Sequence, residues 1–244
     1  MNVLAFGAHP DDLECYCAGT LLKCKDRGDS IFVALTTSGN TGSNSIPTKE
    51  QVAAIREAEQ LKCCAHYGAQ TRFLRFEDEG LLDIPETRKA VLDAIRWAEP
   101  DLILVNPPWD PSPDHGMTGK LVTQVLLSVD GKLQNGELPP LKKMPSVFFF
   151  PADGCVNFTP DIYVDISDKI EEKCRMMLYH GSQQAWANER RPDEKQNKER
   201  EASMTDFCRT ISRYIGIRGD CRYAEGFVAY HIPGYAPNYK LIPY

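Results

Sequence analysis

The chain has 244 residues, 42% of them hydrophobic and 25% charged, which is enough for one sizeable core and ordinary for a globular protein. Its formal net charge is −6 and no face-long basic stretch occurs, so nucleic acid is disfavoured as a main partner. No apolar run approaches the ~20 residues of a membrane span. Met1 leads straight into an apolar segment with no basic, cleavable leader, which points to a cytoplasmic protein.

The nine cysteines are odd in number and irregularly placed, so they read as reduced thiols, several of them in the core. Asn2 to Gly7 is an apolar run without polar alternation, the pattern of a strand buried on both faces. Pro10 ends it, and Ala8-His9-Pro10-Asp11-Asp12 places an imidazole and two carboxylates at its carboxyl end. Ala18 to Lys25 reads as a helix ending near Gly28, and Ser30 to Thr36 as a second buried strand. A Gly- and Asn-rich loop, 38–47, leaves the same edge. Thr48 with Gln51 resembles a capping box for a helix to about Tyr67, with Val52, Ile55, Ala58/Glu59 and Leu61/Lys62 as an imperfect apolar stripe.

Thr71 to Phe76 is a third strand, and Pro85 suits the first position of a helix to Ala98. Asp101 to Asn106 is a fourth buried strand. The segment from Pro107 to His115 holds four prolines and reads as a stiff loop, with a helix from Gly116 to Ser128 after it. Strand and helix thus alternate four times, which predicts an α/β, Rossmann-like three-layer sandwich with a mostly parallel sheet. Right-handed crossovers set the strand ends on one edge, where open α/β sheets bind ligands. Ser146–Phe150, Asp161–Ile166 and Arg222–Tyr230 read as further strands. Ser167 reads as the cap of another helix, and 188–201 as a solvated mixed-charge run. No repeat, linker or domain boundary is evident, so 1–244 is expected to be a single domain.

Imidazole and carboxylate oxygen suit zinc, whose catalytic sites keep three protein ligands and one open position. His9 and Asp12 supply two. Of five histidines, His115 lies on a loop leaving the same edge. Asp11 is then free to act as a base on a water whose pKa the metal lowers toward ~7. The same residues read more plainly as a turn with a helix-capping aspartate. A facial Fe(II) triad is a third reading, and it would assign Asp11 to the metal instead of Asp12.

Ala8-His9-Pro10-Asp11-Asp12 followed by Cys17-Ala18-Gly19-Thr20-Leu21 resembles the signature of the LmbE/PIG-L-like family of zinc-dependent N-deacetylases. Arg56 and Glu59, Asp114-His115, Val164-Asp165-Ile166-Ser167, His180-Gly181-Ser182-Gln183 and Tyr223-Ala224-Glu225 extend the resemblance over almost the whole chain. It implies a hydrolase that removes acetyl from an N-acetylglucosamine-type sugar or glycoconjugate. One Zn2+ per chain, or another divalent metal, would be held by His9, Asp12 and His115, with Asp11 as general base. Arg56 would lie on the substrate side, and His180 would face the pocket or a subunit contact. A homo-oligomer fits the resemblance.

One departure stands out. The family has a histidine three residues before the third ligand, and here that position is Ser112. A hydroxyl donates one hydrogen bond but carries no imidazolium charge. Ser112 therefore leaves a non-catalytic metal- or sugar-binding homologue as the alternative, and it frees Asp114 to orient His115.

Overall fold

The computed structural model describes the backbone of residues 1–133, 136–189 and 194–243, and their side chains except those of 186–189 and 194–203. In chain order the elements are β1 (Asn2–Gly7), α1 (Asp12–Tyr16), α2 (Ala18–Asp26), β2 (Ser30–Thr37), α3 (Lys49–Tyr67) and β3 (Gln70–Phe76). Then come α4 (Pro85–Ala98), β4 (Leu102–Val105), α5 (Pro113–Leu126), β5 (Ser146–Phe149) and β6 (Ile162–Asp165). The chain ends with α6 (Ile170–Met177), α7 (Gly181–Glu189), α8 (Glu194–Arg218) and β7 (Ala224–Tyr230). No helix of the described residues is long and apolar enough to cross a membrane.

The sheet runs β3-β2-β1-β4-β5-β7-β6. Pairings among β1 to β5 are parallel, and β7 lies antiparallel between β5 and β6. Successive residues of β1 point to opposite faces, as strand pleating requires. Val3 and Ala5 join the core under α1, α2, α3 and α6, whereas Leu4 and Phe6 join the core under α4 and α5. Both faces are covered, which is why the strand carries no polar alternation. The molecule is a three-layer α/β sandwich, as its strand and helix order predicts.

Helix α2 covers the expected segment, and a short helix α1, separated from it at Cys17, where φ is −140°, precedes it. Three local expectations differ. Helix α5 starts at Pro113, three residues earlier than expected, because proline is at home in a first helical turn, where the missing N–H has no partner to lose. His115 therefore stands in the first turn of a helix and not on a loop. Ser167 does not cap α6; its hydroxyl donates to Asp165 Oδ1 at 2.6 Å, and Lys169 is the N-cap. The face of α3 is also rotated from the expected stripe. Ile55 and Leu61 are exposed, while Arg56, Glu59 and Gln60 are buried with Val52, Cys63, Cys64 and Tyr67.

The capping at Thr48 holds, since its side chain accepts from the Gln51 N–H at 3.3 Å. All nine cysteines are free, and six are buried. The side chains of the charged run at 188–201 all lie outside those described.

Candidate active site

The end of β1 and the first turn of α5 meet at the carboxyl edge of the sheet. Asp12 Oδ2 accepts from the Ala8 N–H at 2.8 Å, the His9 N–H at 3.1 Å and Asn106 Nδ2 at 3.3 Å. That oxygen is used up in holding the turn, and Oδ1 is left facing the histidines. His115 Nε2 lies 3.2 Å from Asp12 Oδ1 and 3.1 Å from His9 Nδ1, and His9 Nδ1 is 3.8 Å from Asp12 Oδ1. His9, Asp12 and His115 thus offer three ligand atoms to one point. Tetrahedral zinc, with ligands at roughly 2.0–2.2 Å, separates them by about 3.3–3.5 Å. The donor set and its spacing fit a divalent cation. Two ring nitrogens this close share either a single proton or an ion.

Each histidine is anchored through its other nitrogen. His115 Nδ1 is 3.2 Å from Asp110 Oδ2. His9 Nε2 is 2.9 Å from Asp78 Oδ1 and 3.3 Å from Asp114 Oδ2. A carboxylate behind a ligating imidazole fixes its tautomer and raises its basicity. Asp114 serves His9, not His115 as expected: its carboxylate also accepts from the Glu79 and Leu81 N–H groups, which turn it toward the loop after β3. Asp110 does for His115 what Asp114 was expected to do.

The electrostatics follow from this crowding. Burial disfavours the charged imidazolium of His115, but Asp12 and Asp110 outweigh it and push the pKa up to about 10. Burial also opposes the charge on His9, yet Asp114, Asp12 and Asp78 hold it well above the usual histidine range. Conversely, burial would raise Asp12, but His115 and His9 hold it well below the usual carboxylate range. Asp78 is likewise lowered: burial works against its charge, but His9 and Thr41 prevail.

Asp11 stands beside the triangle with φ 115° and ψ −23°. An L residue in that region carries on the order of 1–3 kcal/mol of strain and needs its surroundings to hold it. Arg56 does part of this, donating from Nη2 to Pro10 O at 2.6 Å and to Asp11 Oδ2 at 3.1 Å. Its Nη1 donates to Gly39 O at 2.9 Å. A Cβ at Gly39 would sit 2.4 Å from that Nη1, so only glycine leaves room for the guanidinium. Burial raises the pKa of Asp11 above the ordinary value, against the pull of Arg56.

These groups line a cleft of about 690 Å³ with Tyr16, Thr41, Asp78, Glu79, Asp153, Gln183 and Phe207. Ser112 and Asp114 also line it; the Ser112 N–H donates to Asp110 Oδ1 at 2.9 Å. His180 does not. It is fully buried, with Nε2 3.1 Å from Glu14 Oε2, because the paired carboxylate draws it inward. His66 lies 2.9 Å from the Tyr179 hydroxyl, and His231 is exposed. The sequence reading missed Asp78 and Asp110. The first follows β3 at the same sheet edge, so the reasoning that singles out the loops after β1 and β4 holds for it as well.

Fold and site together define an α/β protein built around a candidate metal centre at the edge of a mostly parallel sheet. The profile of the PIG-L family, described as GlcNAc-PI de-N-acetylase, matches residues 4–126, and the chain belongs to this family. It is 28% identical over 238 residues to the diacetylchitobiose deacetylase of Thermococcus kodakarensis, covering 92% of this chain and 81% of that protein. It is 26% identical over 199 residues to a probable N-acetyl-alpha-D-glucosaminyl L-malate deacetylase 2 of Bacillus anthracis, covering 75% and 81%. The solved N,N′-diacetylchitobiose deacetylase of Pyrococcus horikoshii superposes with a TM-score of 0.78 at 27% identity, covering 98% of this chain and 88% of that one.

Proposed function

We propose that the protein is a zinc-dependent N-deacetylase that hydrolyses the acetamide of an N-acetylglucosamine-type sugar or glycoconjugate, with 1–244 acting as one catalytic domain. The observation that carries this reading is the convergence of His9 Nδ1, Asp12 Oδ1 and His115 Nε2 beside Asp11, in a cleft large enough for a sugar. Family membership and the names of the relatives agree with it.

His9, Asp12 and His115 would hold the ion, and two imidazoles with one carboxylate are a donor set suited to zinc. When bound, a divalent cation supplies Lewis acidity, lowering the pKa of water toward ~7 and polarising a carbonyl oxygen. Asp11 takes the proton of the attacking water and returns it to the amine nitrogen as the C–N bond breaks. Arg56 keeps the Asp11 carboxylate turned to the cleft. That same pairing disfavours the Fe(II) reading, which would need Asp11 as a ligand. Ser112 offers one hydroxyl donor toward the developing oxyanion, and Glu79 offers a carboxylate acceptor for sugar hydroxyls at the rim.

The test is metal analysis of the purified protein together with amine release from N-acetylglucosamine and N,N′-diacetylchitobiose. One zinc per chain and acetate release are expected. Asp11→Asn should keep the metal and lose about 10²–10⁴ in turnover, whereas His115→Ala should lose the metal. Metal-replete protein that releases no amine from any N-acetylated sugar would overturn the reading in favour of a binding homologue.

A further inference from the structure

A buried hydrogen-bond chain runs from the Asp11 turn into α3, and nothing in the reaction above uses it. The Asp11 N–H donates to Gln60 Oε1 at 3.1 Å. Gln60 Nε2 donates in turn to Glu14 Oε1 at 3.2 Å. Glu14 Oε1 also accepts from the Tyr67 hydroxyl at 3.0 Å, and Oε2 lies 3.1 Å from His180 Nε2. Cys63 Sγ is 3.4 Å from that same nitrogen. Glu14, Gln60 and His180 are fully buried.

Glu14, Cys63 and His180 bring three ligand atoms close together. The Glu14 carboxylate, however, already meets Gln60, Tyr67 and His180, so its charge is satisfied by the protein's own donors. The chain also has a direction. An ionised carboxylate only accepts, so it fixes the Gln60 amide with Nε2 toward Glu14 and Oε1 toward Asp11. With the amide reversed, its NH2 would oppose the Asp11 N–H, donor against donor.

Residue 11 carries a left-handed φ of 115° that an L side chain seldom adopts. Arg56 grips the Pro10 carbonyl and the Asp11 carboxylate, but only Gln60 grips the Asp11 N–H among the described contacts. We propose that Gln60, oriented by Glu14, is a positioning residue that holds the Asp11 turn and so aims the Asp11 carboxylate at the proton it moves. This rests on Asp11 being the general base.

The experiment uses the full chain loaded with zinc. Gln60→Met removes the acceptor at similar volume. It should keep one zinc per chain and a KM for N,N′-diacetylchitobiose within about threefold, with kcat down about ten- to a hundredfold. In an Asp11→Asn background the same change should alter residual kcat by less than about threefold, because coupled groups are not additive. Read without substrate, hydrogen exchange at the residue 11 amide should quicken at least about tenfold in Gln60→Met.

Glu14→Gln is the conservative control. Its oxygen can face Gln60 while its NH2 faces His180, whose Nδ1 has no partner among the described residues and can take the ring proton. Turnover and amide protection should survive in it. Should Gln60→Met fail to fold, Gln60→Asn shortens the reach by one methylene and should move both readouts in the same direction. Unchanged exchange at residue 11, or kcat losses that multiply in the double variant, would overturn the proposal. Wild-type turnover by Asp11→Asn would instead remove the base assignment, a separate result because the exchange measurement needs no substrate.

Discussion

Asp110 shows how much of the site rests on a residue with no motif of its own. Its side chain is fully enclosed; Oδ1 accepts from the Ser112 N–H, and Oδ2 accepts from the Asp153 N–H at 3.0 Å while facing His115 Nδ1. One carboxylate thus shapes the Pro-rich loop and orients an imidazole. Asp110→Ala should weaken zinc affinity about 10–100-fold, the usual cost of losing a partner behind a ligand. Competition against a chromogenic chelator measures this, and unchanged affinity would remove Asp110 from the site. In the sequence Asp110 was only one acid among four prolines. Nothing in its spacing distinguished it from Asp114, and the carboxylate next to His115 in sequence turned out to serve His9.

At the scale of elements, α5 carries His115 and α3 carries Arg56 and Gln60, so both must be held close to the sheet edge. Gly119 brings α5 in: a Cβ there would lie 2.3 Å from Asn106 O and 2.8 Å from the Pro107 carbonyl carbon. Gly119→Ala should therefore push the helix outward, cost about 1–3 kcal/mol as an overpacked contact does, and weaken zinc binding with it. Urea denaturation and a metal titration on the same variant check both. In α3 the apolar period misled, because Ile55 and Leu61 suggested an inward face that the fold turns to solvent. The true inward face mixes Val52, Cys63, Cys64 and Tyr67 with polar side chains that are buried by virtue of their partners: Arg56 on Asp11, Gln60 on Glu14, and Glu59 on Ser182, whose hydroxyl donates at 2.6 Å.

Across the whole molecule, one buried carboxylate ties the C-terminal elements to α2. Lys173 Nζ on α6 lies 2.7 Å from Glu225 Oε1 on β7, and Glu225 also accepts from the Gly19 and Thr20 N–H groups of α2. Lys173→Met would strand that carboxylate and should cost about 3–5 kcal/mol, read as a lowered denaturant midpoint. The candidate metal site also ties distant segments together, and its linkage to pH has a definite sign. With a folded pKa of about 10, His115 contributes stability to the metal-free protein that is complete below the unfolded value, about 6.5. That contribution is lost as the pH rises through about 10. The metal-free protein should therefore melt progressively lower across this window. A ligating imidazole must shed its proton, so zinc affinity should rise over the same range with measurable proton release. Calorimetry in buffers of different ionisation enthalpy tests the release, and a pH-independent affinity would contradict the ligand assignment.

Sequence alone determined the alternating strands and helices, the parallel sheet, the edge on which the site lies, and His9, Asp12 and His115 as groups that could meet there. These rest on local features: apolar runs, prolines and glycines at element ends, and a compact imidazole–carboxylate motif. Tertiary structure alone decided which carboxylate stands behind which imidazole, that Asp78 enters the site, that α3 turns Arg56, Glu59 and Gln60 inward, and that His180 is buried on Glu14 and not in the cleft. Those outcomes depend on contacts between residues many positions apart. They are set by strand register and by the cost of leaving buried polar groups without partners, and neither leaves a period in the chain.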